Sequence, residues 1–500
     1  MQHAYEECLK RLYHRNVMIP AKMGLESTIK LYNALNRPLD NIPILHVAGT
    51  NGKGSVCYKS SQYLQKCGLS TGLFVSPHIS SYRERVMINN KCINQEEVVD
   101  YLLHLEKICD QENIPATVFE MTTALSMLHF HNSKIDIAVI EVGLGGRLDA
   151  TNVITPEVSV ITSIQKDHTH ILGSTLEEIA YEKGGIIKEN IPIVVGPECP
   201  HDLLQKMAIE KHAPFYTLSD FPLMNDLLLD NNINNSNKYK DMVTDIFNWN
   251  ELNDPDVINS ALAGVSMQLL ADKLSQKEDI QSQEIAASIR KFSKNEDDVT
   301  TVLHSRPPCR YEHRVVQVVK NNSDDKSQDN ENVNVNVILD VAHNGDAINA
   351  LCKKIKKDYN TSSKPIHVVV GISKEKKSSE ILPPLINLTN STSDNSNEKG
   401  TLWFVQAQHP RAFIAESLWG AAVELGADMK TPVLPLQDTI NAVLSQAAED
   451  GGVVLICGSF YIMSAVRAAL GIIEPRDSQS LNDSLRAPDV VGVVPKEGVV

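Results

Sequence analysis

The sequence lacks long apolar runs, paired cysteines and an excess of positive charge. No apolar run approaches the roughly 20 residues that an α-helix needs to span a bilayer. The nine cysteines are odd in number and scattered, with no Cys-x-x-Cys pair, which argues against a disulfide framework or a zinc site and favours a reducing compartment. The net charge of −15 argues against a general binder of nucleic acid or anionic membranes. We therefore expect neither nucleic acid nor a membrane as a partner.

The N-terminus also lacks the features of a targeting segment. Residues 1–10 contain Glu6 and Glu7 and no apolar core, so they do not resemble a secretory signal and are too acidic for a typical transit peptide. This composition favours a cytoplasmic location, with a mitochondrial one left open. We expect a monomer.

Apolar runs alternate with segments of helical periodicity along the N-terminal part of the chain. Val98, Leu102 and Leu105 stand at helical spacing and predict a helix over residues 95–111. Strands that alternate with helices imply a mostly parallel sheet, which binds ligands at the carboxyl ends of its strands. The other expected elements are strands at residues 42–47, 71–75, 135–142 and 158–164, and helices at residues 55–68, 120–131 and 175–187.

The chain is too long for one ordinary domain, and its apolar content of 42% is enough for sizeable cores. We expect an N-terminal domain over residues 1–300, a linker near residues 293–308 and an α/β C-terminal domain over residues 307–473. Residues 474–500 lack periodicity and are expected to be disordered. Strands of the second domain are expected at residues 335–341, 365–371, 402–407 and 452–457. Polar surface loops without a catalytic role are expected at residues 227–240, 321–336 and 391–400.

Residues 47–55 read Val-Ala-Gly-Thr-Asn-Gly-Lys-Gly-Ser, between an expected strand and an expected helix. This is the context of a phosphate-binding loop, in which glycines allow close approach of the backbone and helix amides face the anion. Lys53 can neutralise phosphate charge and Ser55 can bind Mg²⁺. The common loop has Ser or Thr directly after its lysine, whereas here Gly54 intervenes. That shift favours a ligase that forms amide bonds with ATP over an ordinary kinase or GTPase.

An acidic residue ends the expected strand at residues 135–142. Glu141 precedes Val-Gly-Leu-Gly-Gly-Arg-Leu-Asp, which is not a dinucleotide-binding fingerprint because Leu148 replaces the third glycine. Burying an acid at the end of an apolar strand is unfavourable unless the side chain is exposed or binds a cation. Glu141 is therefore either a metal ligand or a plain carboxylate at the end of a strand. His168, after the next strand, becomes a plausible second ligand only beside Glu141.

Three further polar residues have no role fixed by spacing alone. Lys183 could be one of many solvated lysines. Arg310 could reach a γ-phosphate and Asp340, at the end of an expected strand, could hold a ribose, but salt-bridge and capping roles fit both equally well.

Taken together and in order, the motifs resemble the folylpolyglutamate synthase and dihydrofolate synthase family of the Mur ligase superfamily. This resemblance implies a mostly parallel P-loop ATPase domain followed by a smaller Rossmann-like α/β domain. Val341 and Gly345 depart from the commonest form of the family, and Gly345 is a hint toward dihydrofolate synthase activity. The matching segments are residues 46–55, 76–78, 140–153, 167–168, 182–188, 310, 340–344, 409–411 and 457–459.

The resemblance also implies a site for ATP and two Mg²⁺ ions. A carbamylated Lys183 would supply an acidic oxygen ligand, Arg310 would touch the γ-phosphate, and Asn259 would contact adenine. The residues implied to bind the nucleotide are Gly49, Thr50, Asn51, Gly52, Lys53, Gly54, Ser55, Asn259, Arg310, Asp340 and His343. Those implied to bind metal are Ser55, Ser76, Glu141, His168 and Lys183, and those implied in catalysis are Lys53, His168, Lys183 and Arg310.

The implied reaction joins L-glutamate to the carboxylate of dihydropteroate or of a reduced folate, through an acyl phosphate formed with ATP. The alternative from a different class is a P-loop kinase or switch that binds a nucleotide and forms no amide bond. Glutamate-dependent release of ADP separates the two.

Overall fold

A computed structural model of the protein describes residues 1–18, 24–220, 254–320, 331–359, 364–390, 399–409, 411–478 and 481. The described chain divides into two units. Unit 1 contains residues 1–78 and 82–305, and unit 2 contains residues 79–81 and 306–481. Across the described residues, no helix has the length and apolar character of a membrane-spanning segment.

Unit 1 is built on an eight-stranded sheet in the order β4-β3-β2-β5-β1-β6-β7-β8. The six strands from β2 to β8 in this order run parallel, and β3 and β4 extend the sheet as antiparallel strands at one edge. The strands are β1 (Ile44–Ala48), β2 (Thr71–Phe74), β3 (Val86–Ile88), β4 (Lys91–Cys92), β5 (Ile137–Glu141), β6 (Val158–Ile161), β7 (Ile193–Val195) and β8 (Phe215–Thr217).

The central strands are buried because helices cover the sheet. All residues of β1, β5 and β6 are buried, as expected for central strands of a parallel sheet, and these include the polar His46, Glu141 and Ser159. The helices of unit 1 are α1 (Gln2–Met18), α2 (Glu26–Ala34), α3 (Lys53–Lys66), α4 (Gln95–Gln111), α5 (Val118–Asn132), α6 (Thr169–Leu172), α7 (Leu176–Gly184), α8 (His201–Glu210), α9 (Pro255–Leu274), α10 (Ile280–Phe292) and α11 (Glu296–Leu303). Helix α9 is buried over most of its length and packs in one core with α3, β1 and β6.

Unit 2 has a five-stranded sheet in the order β12-β11-β13-β10-β9, parallel except for the β9–β10 pair. Its strands are β9 (Glu312–Lys320), β10 (Glu331–Leu339), β11 (Ile366–Val370), β12 (Leu402–Phe404) and β13 (Val453–Cys457). Its helices are α12 (Gly345–Asp358), α13 (Ser378–Thr389), α14 (Ala415–Glu424), α15 (Leu436–Asp450) and α16 (Phe460–Ala469). The expected fold class, two α/β units with mostly parallel sheets, is confirmed.

Two expected irregular segments contain regular structure. Residues 331–336 were expected in a polar loop, but they begin β10, where valines at every second position alternate with asparagines and face the core. The linker expected near residues 293–308 contains α11, whose Val299, Val302 and Leu303 are buried against unit 1. Residues 227–240, 321–330 and 391–398 lie outside the described residues.

The expected disorder from residue 474 does not apply to the start of that segment. Glu474 pairs with Arg467, with Nη2 2.7 Å from Oε2, and accepts a hydrogen bond from Ser80 Oγ over 2.6 Å. Asp477 accepts a hydrogen bond from Ser81 Oγ over 2.9 Å. Charged side chains that find buried partners explain why a segment without apolar periodicity is ordered. Residues 479–480 and 482–500 lie outside the described residues.

Candidate active site

The candidate residues of unit 1 lie after four strands that are neighbours in the sheet, in the order β2-β5-β1-β6. Ser76 follows β2, Glu141 ends β5, the glycine loop follows β1, and His168 follows β6. Because these four strands are parallel, their carboxyl ends share one edge, which is where open α/β sheets bind ligands.

Two glycines of the loop are required by the space around them. Gly49 has φ +150°, and a Cβ atom there would lie 1.9 Å from Thr162 Oγ1. Gly52, at the N-cap of α3, has φ +88°, and a Cβ atom there would lie 2.3 Å from Asn259 Oδ1. The structure therefore brings Asn259, the fifth residue of α9, next to the glycine loop.

The segment after β6 holds the glycine loop by hydrogen bonds. Thr50 N–H donates to Ser163 O over 2.7 Å, and Asn51 N–H donates to Ser163 Oγ over 3.1 Å. Thr162 Oγ1 donates to Asn51 O over 2.6 Å. The loop is thus fixed by polar groups of the segment after β6. Lys53, at the start of α3, donates to Thr50 O over 3.2 Å and so lies back over the same loop.

Glu141 lies at the amino end of α3, buried between the glycine loop and the segment after β2. Ser76 N–H donates to Glu141 Oε2 over 3.0 Å, and a Cβ atom on Gly54 would lie 3.4 Å from the same oxygen. Ser55, the next residue, is also buried. A buried carboxylate beside two serines fits Mg²⁺, which prefers oxygen ligands. The backbone of Gly54, between Lys53 and Ser55, thus lies next to the carboxylate of Glu141.

Lys183 is buried on the last turn of α7, and its Nζ donates to Gly49 O over 2.8 Å. Burial lowers the pKa of Lys183 to about 7, the positive charge of Lys53 acts in the same direction, and Asp167 opposes them. The alternative of a solvated lysine is therefore wrong, because the amine lies in the interior against the phosphate-binding loop.

The glycine-rich segment after β5 positions α7. A Cβ atom on Gly146 would lie 2.7 Å from Lys183 O, and the Arg147 guanidinium pairs with Glu182 over 2.7 Å. Asp149 accepts a hydrogen bond from Leu144 N–H over 2.9 Å and closes the turn. These glycines therefore allow close packing of backbone on backbone, which agrees with the rejection of a dinucleotide fingerprint.

His168 has φ +50°, and its backbone N–H donates to Asp167 Oδ1 over 2.8 Å. Its side chain is 39% exposed, so the imidazole is accessible to a ligand. Within the described ranges, no cluster of three His, Cys, Asp or Glu side chains has the arrangement of a metal site. Among the metal ligands implied by the resemblance, only Glu141 and His168 are of these residue types. The other implied ligands are two serines and a modified lysine.

Arg310, Asp340 and His343 lie together in unit 2. Asp340 accepts hydrogen bonds from the N–H groups of Tyr311 and Ala342, each over 2.7 Å. Burial raises the pKa of Asp340, and the nearby Arg310 opposes this. The Arg310 guanidinium lies 4.8 Å from the ring centroid of Phe460, and the His343 ring lies 5.9 Å from it. The two hydrogen bonds show that Asp340 holds backbone amides of the neighbouring loops, whereas the N-cap of α12 is Asn344.

Two family models match the chain: the Mur ligase middle domain over residues 47–266 and the dihydrofolate synthetase C-terminal domain over residues 322–469. Dihydrofolate synthase/folylpolyglutamate synthase of Bacillus subtilis is 31% identical, covering 93% of this chain and 99% of that protein. The chain belongs to the dihydrofolate synthase and folylpolyglutamate synthase family.

Other relatives agree with this assignment along nearly the whole chain. Dihydrofolate synthetase of Saccharomyces cerevisiae is 28% identical, covering 88% of this chain and 96% of that protein. A crystal structure of a bifunctional folylpolyglutamate synthase/dihydrofolate synthase with Mn, AMPPNP and L-glutamate bound has a TM-score of 0.64 at 25% identity, covering 91% of this chain and 95% of that one. The chain is therefore an ATP-dependent amide ligase, and the kinase or switch alternative is not favoured.

Several residues that shape this family member's site carry no motif that sequence reasoning could use. Thr162, Ser163 and Gln165 reach the glycine loop from more than one hundred residues away, with Gln165 Oε1 accepting a hydrogen bond from Asn51 Nδ2 over 2.5 Å. Phe460 follows the motif at residues 457–459 and contacts both Arg310 and His343. An aromatic directly after a glycine turn is the one local signal that could have indicated it.

Proposed function

We propose that this ligase joins the amine of L-glutamate to the carboxylate of dihydropteroate, with ATP converted to ADP and phosphate. The observation that carries the proposal is the meeting of the glycine loop, buried Glu141 and buried Lys183 at one edge of the sheet. A site built for phosphate and divalent metal next to a lysine of lowered pKa fits phosphoryl transfer to a carboxylate better than simple nucleotide binding.

A carboxylate must be activated before an amine can displace one of its oxygens. A carboxylate oxygen of the acceptor attacks the γ-phosphorus of ATP, the bond to the β,γ-bridging oxygen breaks, and ADP leaves. The glutamate amine then attacks the carbonyl carbon of the acyl phosphate. The bond from this carbon to the former carboxylate oxygen breaks, phosphate leaves with that oxygen, and the nitrogen loses a proton. Lys53 and the amides of the glycine loop hold the phosphates and offset their charge as it shifts toward ADP.

Two divalent ions are part of the proposal. Ser55, Ser76 and Glu141 would hold the first, and Glu141, His168 and a carbamylated Lys183 would hold the second. When bound, such ions polarise the phosphoryl oxygens and neutralise the charge that develops on them. A solved relative that binds Mn, AMPPNP and L-glutamate supports the combination of metal, nucleotide and amino acid.

Three residues of unit 2 are also proposed to bind nucleotide. Arg310 would contact the γ-phosphate, Asp340 the ribose, and His343 the nucleotide beside Arg310. The placement of Arg310 and His343 on one aromatic ring supports a shared role for these two side chains.

Dihydropteroate is the proposed acceptor because the C-terminal family model is that of a dihydrofolate synthetase, as is the yeast relative that spans most of the chain. The Bacillus subtilis relative is named for both activities, so a reduced folate is the acceptor to compare. Gly345, at the start of α12, is a further feature that favours the dihydrofolate synthase type.

The test uses purified protein, ATP, Mg²⁺ and labelled L-glutamate, with dihydropteroate and tetrahydrofolate offered separately. We expect labelled product with dihydropteroate and one ADP per amide bond formed. Product with tetrahydrofolate alone would overturn the choice of acceptor but keep the ligase. Release of ADP with neither acceptor incorporated would contradict the proposed reaction.

A further inference from the structure

The loop that carries Arg310 has a strained backbone. Cys309 and Tyr311, on either side of Arg310, both adopt left-handed conformations, with φ of +56° and +48°. Residues other than glycine rarely adopt this conformation because the Cβ atom crowds the backbone. Such conformations persist only where surrounding contacts impose them. The loop at residues 309–311 therefore depends on its neighbours to keep its shape.

Three hydrogen bonds fix the backbone of this loop. Tyr311 N–H donates to Asp340 Oδ2 over 2.7 Å, and Val341 N–H donates to Cys309 O over 2.9 Å. Cys309 N–H donates to Glu312 Oε2 over 2.8 Å. Two carboxylates therefore hold the amides on the two sides of Arg310. One of these carboxylates belongs to Glu312, the first residue of the edge strand β9.

A buried arginine holds the Glu312 carboxylate. Arg467, on α16, is 4% exposed, and its Nη1 pairs with Glu312 Oε2, the same oxygen that accepts the Cys309 amide. Nη1 also lies 3.8 Å from Cys309 Sγ. On its other side the guanidinium pairs with Glu474, with Nη2 2.7 Å from Oε2. A planar guanidinium with carboxylates on two sides has a fixed orientation, which a lysine could not reproduce.

Helix α16 therefore contacts the Arg310 loop at two levels. Its first residue, Phe460, places a ring 4.8 Å from the Arg310 guanidinium, and Arg467, two turns later, holds the loop backbone through Glu312. We propose that Arg467 is a positioning residue for Arg310, which fixes Glu312 against the Cys309 amide and so keeps the loop in the conformation that presents Arg310. This inference rests on the proposed contact of Arg310 with the γ-phosphate.

A matched control exists on the same carboxylate. Arg314 pairs with Glu312 Oε1 from the exposed side, with Nε 2.7 Å from that oxygen, and its own side chain is 46% exposed. Arg314→Met removes a positive charge from Glu312 without touching the oxygen that holds the loop. If only charge on Glu312 mattered, Arg314→Met and Arg467→Met would act alike. If the position of Oε2 matters, only Arg467→Met acts.

The kinetic test is a double-mutant cycle on kcat for glutamate-dependent ADP release. We expect Arg467→Met to lower kcat at least tenfold, Arg314→Met to change it less than twofold, and Arg467→Met with Arg310→Met to be no slower than Arg310→Met alone. Multiplied effects in the double variant, or a normal kcat for a folded Arg467→Met protein, would overturn the proposal. If Arg467→Met does not fold, Glu312→Gln takes its place, because glutamine keeps an acceptor for the amide but loses the charge that holds Arg467.

Hydrogen exchange of the peptide at residues 306–313 separates this inference from the role of Arg310. We expect faster exchange at the Cys309 and Tyr311 amides in Arg467→Met and unchanged exchange in Arg314→Met and Arg310→Met. If Arg310→Met retains normal kcat, the proposed role of Arg310 fails, and the exchange experiment still decides whether Arg467 positions the loop. Equal exchange in wild type and Arg467→Met would refute the positioning.

Discussion

Carbamylation of Lys183 should follow the neutral fraction of its amine. Carbon dioxide reacts with a neutral amine to form a new nitrogen–carbon bond, a proton is released to solvent, and the resulting carbamate would supply oxygen ligands for a metal. Burial lowers the pKa of Lys183 from an ordinary 10.5 to about 7, with Lys53 acting in the same direction. The folded protein thus binds this proton more weakly than the unfolded chain does, so the amine becomes neutral as the pH rises through about 7. The carbamate nitrogen keeps one hydrogen, which preserves the donor to Gly49 O seen at 2.8 Å.

The size of the effect follows from the two pKa values. At pH 8 roughly 90% of Lys183 is neutral, whereas a lysine with an ordinary pKa is neutral in roughly 0.3% of molecules, a difference of about 300-fold. At pH 6 the neutral fraction of Lys183 falls to roughly 10%. At equal dissolved carbon dioxide, occupancy by carbamate should therefore rise steeply from pH 6 to pH 8, because loss of the ammonium proton and release of a proton on carbamate formation both favour the carbamate at higher pH.

The assay is carbon-13 NMR of the protein in carbon-13-labelled carbon dioxide, with the dissolved gas held constant across the pH series. Lys183→Met should remove the carbamate resonance. Lys188 is a matched control, because burial lowers its pKa to about 8 and its Nζ donates to Asn152 O over 2.8 Å, away from the glycine loop. Lys188→Met should leave the resonance in place. If no carbamate resonance is seen at pH 8, or if Lys183→Met removes none of those seen, the reasoning is refuted.

Three other substitutions test the account. Lys53→Ala should abolish glutamate-dependent ADP release while the circular dichroism spectrum and unfolding midpoint stay unchanged, and near-normal turnover would contradict the phosphate role. Gly49→Ala should weaken ATP binding at least tenfold in calorimetry, because its Cβ would lie 1.9 Å from a threonine hydroxyl, whereas Gly68→Ala, also at positive φ but with open space, should bind normally. Lys59→Met should lower the free energy of unfolding by about 3 kcal/mol, because it removes a fully buried amine that pairs with the partly exposed Asp256 carboxylate and donates to the Leu303 and Ser305 carbonyls. Urea unfolding measures this loss, and Lys273→Met, which removes an exposed contact of 3.1 Å to one carbonyl, should change the midpoint little.

The sequence predicts those helices and strands whose own residues show a clear apolar periodicity. The helix at residues 95–111 has the bounds that its apolar residues at helical spacing predict, and in the structure Asn94 and Glu97 form a capping box at its start. The strands β3 and β4 were missed because three and two residues are too few for a periodic signal. At residues 331–336 the asparagine-rich composition hid an alternation of valines that the sheet requires.

In the candidate site, too, residues beside a local motif could be predicted, whereas contacts between distant parts of the chain could not. Residues next to glycines and strand ends, such as Lys53, Ser55 and Glu141, could be predicted because the chemistry of each is visible beside its motif. The hydrogen bonds from Thr162 and Ser163 to the loop could not, since they depend on β6 lying next to β1 in the sheet. Spacing alone did not distinguish Lys183 from a surface lysine, because its burial and its contact with Gly49 depend on how α7 packs.

The central claim, amide formation through an acyl phosphate, is tested most directly by oxygen transfer. Dihydropteroate labelled with oxygen-18 in both carboxylate oxygens is incubated with the protein, ATP, Mg²⁺ and L-glutamate, and the phosphate released is analysed by mass spectrometry. The account predicts one oxygen-18 atom in each phosphate released and one retained in the amide carbonyl. Phosphate that carries no label from the carboxylate would contradict it, because γ-phosphoryl transfer to the acceptor would then not have taken place.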